Sequence, residues 1–271
     1  MAGDFEALKL FRQAGLAGEI LTGTFQKTPS RHVSEVLARS GLDFVVLDAE
    51  HAPFGIDVID DILAPTRPIG FPVLVRIPEL RPSFIGACLD AGAAGIVVPH
   101  VTSAEKAIEA VAAARFAAGG RGLSASGRAG GYGAMTLGDY MGDSDAAVSV
   151  WCQIEDVEAV DNLEAICAVP GVDALFVGRA DLMRSLGAGT TGAPAVVNAV
   201  EKIARIGLAA GKRLAIFITD ADEAARFKAL GFSIFICGSD QSMLKARAQA
   251  TKAAISGLSP SSGLSRGSAC A

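Results

Sequence analysis

A single local pattern repeats along this chain and leaves few folds open to it. A helical stretch ends, a glycine stops it, and within a few residues a short β-rich apolar run begins. Instances are ARSGLDFVVL at 38–47, LDAGAAGIVV at 89–98, VPGVDALFV at 169–177 and KALGFSIFI at 228–236. Eight runs read as strands: Glu19–Thr24, Phe44–Leu47, Pro72–Arg76, Gly95–Pro99, Val148–Ile154, Ala174–Val177, Leu214–Ile218 and Phe232–Cys237. Several are apolar at consecutive positions, the mark of strands buried on both faces in a parallel sheet covered by helices.

The intervening segments carry helix signals. Ser30–Arg39 opens on a capping serine, Pro82–Ala91 has proline at its start and Gly92 past its end, and Ser103–Ala114 has an acid in its first turn. Asp57–Leu63, Asp156–Cys167, Pro194–Ala210, Asp220–Leu230 and Asp240–Ile255 complete the set. Eight strand–helix units predict an α/β fold, a (β/α)8 TIM barrel, with a doubly wound open sheet as the competing architecture. The 271 residues suit one such domain, since roughly 200–250 is routine for an α/β barrel. The barrel is expected over residues 1–255, followed by a Ser/Gly-rich tail at 256–271 read as disordered. A Gly-rich insert, Gly119–Gly142, interrupts the repeat.

Charge and hydropathy narrow the partners. Twenty-four Lys and Arg against 29 Asp and Glu give a net charge of −5, and the pI near 5.3 argues against a nucleic-acid binder. Mean hydropathy is high at +0.40, yet no apolar run approaches the ~18 residues of a spanning helix, so no membrane association is expected. Met1–Arg12 carries acids and no secretory pattern, so a cytoplasmic location is expected. Five cysteines, an odd number without CxxC spacing, read as reduced thiols.

In a barrel of this kind the chemistry lies at the carboxyl ends of the strands. There the sequence places Asp48-Ala49-Glu50-His51 after the second run, Arg76 at the end of the third, Gln153-Ile154-Glu155 at the end of the fifth, and Asp181 shortly after the sixth. Glu155 and Asp181 follow neighbouring strands, so they can share a divalent cation; helix capping is the alternative for each. His51, with Asp48 and Glu50 nearby, suits a general base; His100 is a weaker candidate and His32 an incidental one. Arg76 needs an anion, either a substrate carboxylate or enolate or a salt bridge to Asp48 or Glu50. Gln153 either binds substrate or fills a structural hydrogen bond. The Gly-rich insert lacks a phosphate-binding motif. Its Arg121 and Arg128 read as contacts to an acidic substrate or neighbouring subunit, or as parts of a mobile, solvated loop.

These residues sit in a longer series of motifs: GTF at 23–25, DFVVLDAEHAPFG at 43–55, VRIP at 75–78, GAAGIVVPHV at 92–101, RGLSASGRAGGYG at 121–133, CQIED at 152–156 and GVDALFVGRADL at 171–182. From about Gly18 to Lys252 the chain resembles the metal-dependent (class II) pyruvate aldolases of the HpcH/HpaI type, such as 4-hydroxy-2-oxoheptanedioate and 2-dehydro-3-deoxyglucarate aldolases. The resemblance implies cleavage of a 4-hydroxy-2-oxo acid to pyruvate and an aldehyde. It implies Glu155 and Asp181 as ligands of Mg²⁺ or Mn²⁺, with Co²⁺ a further option, and His51 as the acid/base group paired with Asp48. It further implies Arg76 on the keto oxygen and enolate, and Gln153, Ala180 and Asp181 around the substrate. Homo-oligomers, commonly hexamers built as trimers of dimers with an exchanged last helix, are also implied. One departure stands out: the family usually reads G-P-x-D-L where this chain has Gly178-Arg179-Ala180-Asp181-Leu182, so Arg179 brings a charge beside the site. The competing readings are related enolate chemistry on the same barrel, an oxaloacetate decarboxylase or a CoA-thioester lyase, and a non-catalytic metabolite-binding barrel. No Schiff-base lysine is expected, because Lys212 precedes its strand and Lys228 is helical.

Overall fold

A computed structural model describes residues 3–257. Eight parallel strands close in sequence order: β1 (Leu21–Gln26), β2 (Phe44–Asp48), β3 (Val73–Arg76), β4 (Gly95–Val98), β5 (Ser149–Ile154), β6 (Ala174–Val177), β7 (Arg213–Ile218) and β8 (Ile234–Ser239). Closure is made by β8 against β1, with Leu21 opposite Ile234 and a register shift between Gly23 and Phe25. The (β/α)8 barrel is therefore as the sequence predicts, and the strands lie within a few residues of the expected runs.

Two apolar layers explain why the runs do not alternate. Phe25, Phe44, Val46, Leu74, Val97, Trp151, Phe176 and Ile236 fill the barrel interior. Their neighbours Val45, Leu47, Val73, Val75, Ile96 and Val98 face outward and are sealed by helices. Each strand alternates in direction but not in polarity, because both directions are dry. At Gly23 only glycine fits, since a Cβ would come within 2.6 Å of the Phe44 ring.

The helices are α1 (Gly3–Ala17), α2 (Arg31–Leu37), α3 (Ile56–Thr66), α4 (Pro82–Ala91), α5 (Ala104–Ala114), α6 (Leu137–Ala147), α7 (Val157–Asp161), α8 (Leu163–Cys167), α9 (Arg179–Ser185), α10 (Pro194–Ala209), α11 (Asp222–Ala229) and α12 (Asp240–Ser256). Gly92 ends α4 in the left-handed conformation and Ser103 caps α5, as read; Ser30 flanks α2 without a side-chain cap bond. The helix expected at Asp156–Cys167 is two short ones joined at Asn162. Among the described residues no helix is long and apolar enough to cross a membrane.

Three helices were not anticipated: α1, α6 and α9. On α1, Phe5, Leu8 and Phe11 fall at helical spacing and are buried. Phe11 enters the interior layer beside Leu21 and Ile234, at the strand starts, with its ring 5.6 Å from that of Phe44. The α1 helix thus closes the amino end of the barrel.

The two arginines of the Gly-rich insert anchor it to the helices around it. Arg121, its side chain fully buried, donates to Asp90 at 2.7 Å, Ser144 at 2.8 Å and the Tyr140 hydroxyl at 3.0 Å, and its guanidinium lies 4.3 Å from the centre of the Phe116 ring. Arg128 pairs with Asp60 at 2.8 Å. Cys88, Cys152 and Cys167 are free and buried; burial pushes the Cys88 and Cys152 thiols up to about 12. Cys270 and residues 258–271 of the expected tail lie outside the described residues.

Candidate active site

The polar residues singled out by sequence meet at the carboxyl ends of the strands. Lys27, His51, Arg76, Gln153, Arg179, Ala180 and Asp181 line a cavity of about 560 Å³, with Phe25 and Phe217 among its apolar walls.

Arg76 ends β3 and sits 4.6 Å over the Phe25 ring. Its Nη2 lies 2.7 Å from Asp48 Oδ1 and its Nε 3.2 Å from Glu50 Oε2. The salt-bridge alternative for Arg76 therefore holds, with both carboxylates, and it fixes the guanidinium at the cavity wall. The second oxygen of Asp48 faces Lys27 Nζ at 3.1 Å. Burial opposes charge on Asp48, but Arg76 and Lys27 outweigh it and hold the carboxyl below its ordinary value.

Lys27 corrects the expectation that no lysine stands at a strand end. It follows β1 directly, and its backbone N–H donates to Asp240 Oδ1 at 2.8 Å, while Thr28 donates to the other oxygen. The signal was available: β1 continues two residues beyond Thr24, where the apolar run had been ended.

The expected pairing of the His51 ring with Asp48 is not what the geometry gives. Asp48 Oδ1 accepts the His51 backbone N–H at 3.2 Å, whereas the ring Nε2 lies 3.9 Å from Glu50 Oε2. The ring is about half exposed, on the cavity. Asp48 is committed to two cations, which leaves Glu50 as the carboxylate facing the imidazole.

Glu155, following β5, is buried. Its Oε1 accepts the His100 backbone N–H at 2.9 Å and its Oε2 accepts the Gln153 amide. Burial raises its carboxyl above the ordinary value. Gln153 Oε1 is buried without a hydrogen-bond partner among the described residues. Gly178 is required here, because a Cβ would lie 2.7 Å from Glu155 Oε2. Asp181, in the first turn of α9, lines the cavity and pairs with Arg184 at 3.6 Å.

Glu50, His100 and Glu155 offer ligand atoms that all lie within 4.8 Å of one another, a set that could hold a metal ion; Asp181 is not part of it. His100 ranked below His51 in the sequence reading, yet it is the histidine at the carboxylate cluster.

Arg179 does not add a loose charge to the cavity. Its guanidinium forms a two-pronged pair with Glu223 at 2.7 and 3.0 Å, donates to the Phe217 carbonyl at 2.9 Å and lies 4.7 Å from the centre of the Phe227 ring. Glu223 also accepts from the Thr219 amide and hydroxyl. Arg179 thereby ties the start of α9 to the β7–α11 loop.

A family model described as HpcH/HpaI aldolase/citrate lyase matches residues 21–246. The chain belongs to this family. It is 36% identical over 242 residues to a 5-keto-4-deoxy-D-glucarate aldolase of Enterobacter sp. (strain 638), covering 88% of this chain and 93% of that one. A HpcH/HpaI aldolase/citrate lyase family protein from Burkholderia cenocepacia J2315 superimposes with a TM-score of 0.85 at 32% identity, over 91% of this chain and 99% of that chain. The citrate synthase SbnG superimposes at 0.81 with 29% identity, over 90% and 96%. The chain is accordingly an enzyme of the carbon–carbon lyase class, a class II aldolase.

Proposed function

We propose that this enzyme cleaves a 4-hydroxy-2-oxo acid, of the acidic sugar type represented by 5-keto-4-deoxy-D-glucarate, into pyruvate and an aldehyde. The observation that carries this reading is the convergence of His51, Arg76, Gln153 and Asp181 on one cavity, with Glu155 hydrogen-bonded to Gln153.

The donor set fits a divalent cation. Glu155 and Asp181 would hold it, with Glu50 and His100 close to Glu155, and the unpartnered Gln153 Oε1 marks a polar position beside the carboxylate. Hard carboxylate oxygens suit Mg²⁺ or Mn²⁺, and Co²⁺ is compatible with an added imidazole. When bound, such a cation supplies Lewis-acid polarisation of the 2-oxo group.

The chain's own groups do the rest. His51, backed by Glu50, takes the proton from the 4-hydroxyl as the C3–C4 bond breaks and the aldehyde leaves. Arg76, fixed by Asp48 and Glu50, directs its N–H groups at the negative charge that grows on the 2-oxo oxygen of the pyruvate enolate. Proton return to C3 completes pyruvate, and Ala180 and Asp181 border the substrate.

A second reading, oxaloacetate decarboxylation or a related lyase step through the same enolate, draws on the family's description, which covers citrate lyases as well as aldolases. Pyruvate release from a panel of 4-hydroxy-2-oxo acids and from oxaloacetate, with and without Mg²⁺, Mn²⁺ or Co²⁺, separates the two. Metal-dependent aldol cleavage is expected; release from oxaloacetate alone, or full activity in chelator, overturns the proposal.

The same reading places the enzyme in the cytoplasm as a homo-oligomer, a hexamer of three dimers. Support comes from α12, which has no buried residue in the single chain and exposes Leu244 and Ile255.

A further inference from the structure

We propose that His100 is itself a ligand of the cation at Glu155, and that its imidazole makes this site prefer a first-row transition dication over Mg²⁺. The inference rests on the reading that a divalent cation binds at Glu155.

His100 sits in an uncommon backbone state. Its φ is +52°, and among the described residues only Tyr132 shares a positive φ without being glycine. A residue with a Cβ is held there only when its surroundings enforce it. Two contacts do so: the His100 N–H donates to Glu155 Oε1 at 2.9 Å, and Lys106 Nζ donates to the His100 carbonyl at 2.9 Å. The backbone bond ties His100 to the very carboxylate that would carry the cation, and it swings the ring over that group.

The ring is then oriented as metal-binding histidines are. Nδ1 lies 3.0 Å from Asp156 Oδ2 and 3.4 Å from Glu155 Oε1, and Nε2 is directed towards Glu50 Oε1 at 3.8 Å. A carboxylate that takes the N–H of one ring nitrogen fixes the tautomer and leaves the lone pair of the other for a metal. The 3.8 Å separation is below the ~4.2 Å that two ligands, each about 2.1 Å from one ion, can span. Glu155 offers a ligand atom within 4.8 Å of the other two, and its carboxylate would draw in to share the ion.

Selectivity follows from the ligand type. Mg²⁺ favours carboxylates and water, whereas imidazole is suited to the later first-row dications, whose affinities rise from Mn²⁺ through Co²⁺ to Cu²⁺. Replacing one oxygen donor by nitrogen therefore raises Co²⁺ binding relative to Mg²⁺.

The test uses the full-length, metal-stripped protein and metal ions alone. Asparagine tolerates positive φ, so His100→Asn keeps the backbone, and His100→Gly is a second variant that does. Pulsed electron paramagnetic resonance of the Mn²⁺-loaded wild type should show coupling to a histidine nitrogen that both variants lose. Calorimetry should show Co²⁺ affinity falling at least about tenfold in the variants, since disturbing even an outer partner of a ligand costs that much, with Mg²⁺ affinity within about twofold. Absence of nitrogen coupling in the wild type, its survival in the variants, or equal loss of Co²⁺ and Mg²⁺ overturns the proposal. If the wild type shows this coupling but no metal-stimulated pyruvate release, the aldolase reading fails and the His100 assignment stands.

Discussion

Lys27 and Arg76 hold opposite oxygens of Asp48: Nζ lies 3.1 Å from Oδ2, and Nη2 lies 2.7 Å from Oδ1. One buried carboxylate thus joins the ends of β1, β2 and β3. It also ties the Lys27 amino group into an ion pair, although that lysine borders the cavity.

Borohydride added with pyruvate should therefore leave the protein mass unchanged, because no imine forms at Lys27. Mass spectrometry checks this. A reduced pyruvyl adduct on Lys27 would move the mechanism into the Schiff-base class.

His51→Asn should lower kcat for pyruvate release by ~10²–10⁴, the usual worth of a positioned acid/base group. KM should change far less, because the imidazole acts on the reacting proton. Steady-state kinetics decides, and an equal loss in KM with kcat retained would make His51 a binding residue.

The Arg179–Glu223 pair has a pH signature. The Arg179 guanidinium holds the Glu223 carboxyl down to about 2, from an ordinary 4.5. A depressed folded-state value means stability that is complete above about pH 4.5 and is lost as the pH falls through 2. The stability gap between wild type and Glu223→Gln should stay constant from pH 8 to about pH 5 and shrink below that. Urea unfolding across this range measures it, and a gap that grows on acidification would contradict the assignment.

Arg121→Met should destabilise the fold by about 2–3 kcal/mol while leaving KM unaltered. That lies below the ~3–5 kcal/mol for breaking a fully buried ion pair, because Asp90 is about one third exposed. Chemical denaturation and steady-state kinetics report the two quantities separately.

The barrel was legible because its cause is local. Strands such as β2 and β4 are apolar on successive residues, and no other common setting demands that of so short a run. The site was legible in part for a related reason: Asp48, Arg76, Gln153 and Glu155 interrupt apolar runs at strand ends. What stayed hidden depends on distant partners or on backbone state. Arg121 finds Asp90, 31 residues earlier. Arg179 finds Glu223, 44 residues later. His100 gains its place through a left-handed backbone that nothing but glycine advertises in a sequence. Phe5, Leu8 and Phe11 do have helical spacing, but the floor they cover is built from strand starts far along the chain.

That floor turns the barrel into a cup with a single rim. Phe11 stoppers the amino end, so substrate, water and both products share one doorway on the opposite side. Whatever enters or leaves the proposed site must therefore cross the loops that carry His51, Arg179 and Asp181.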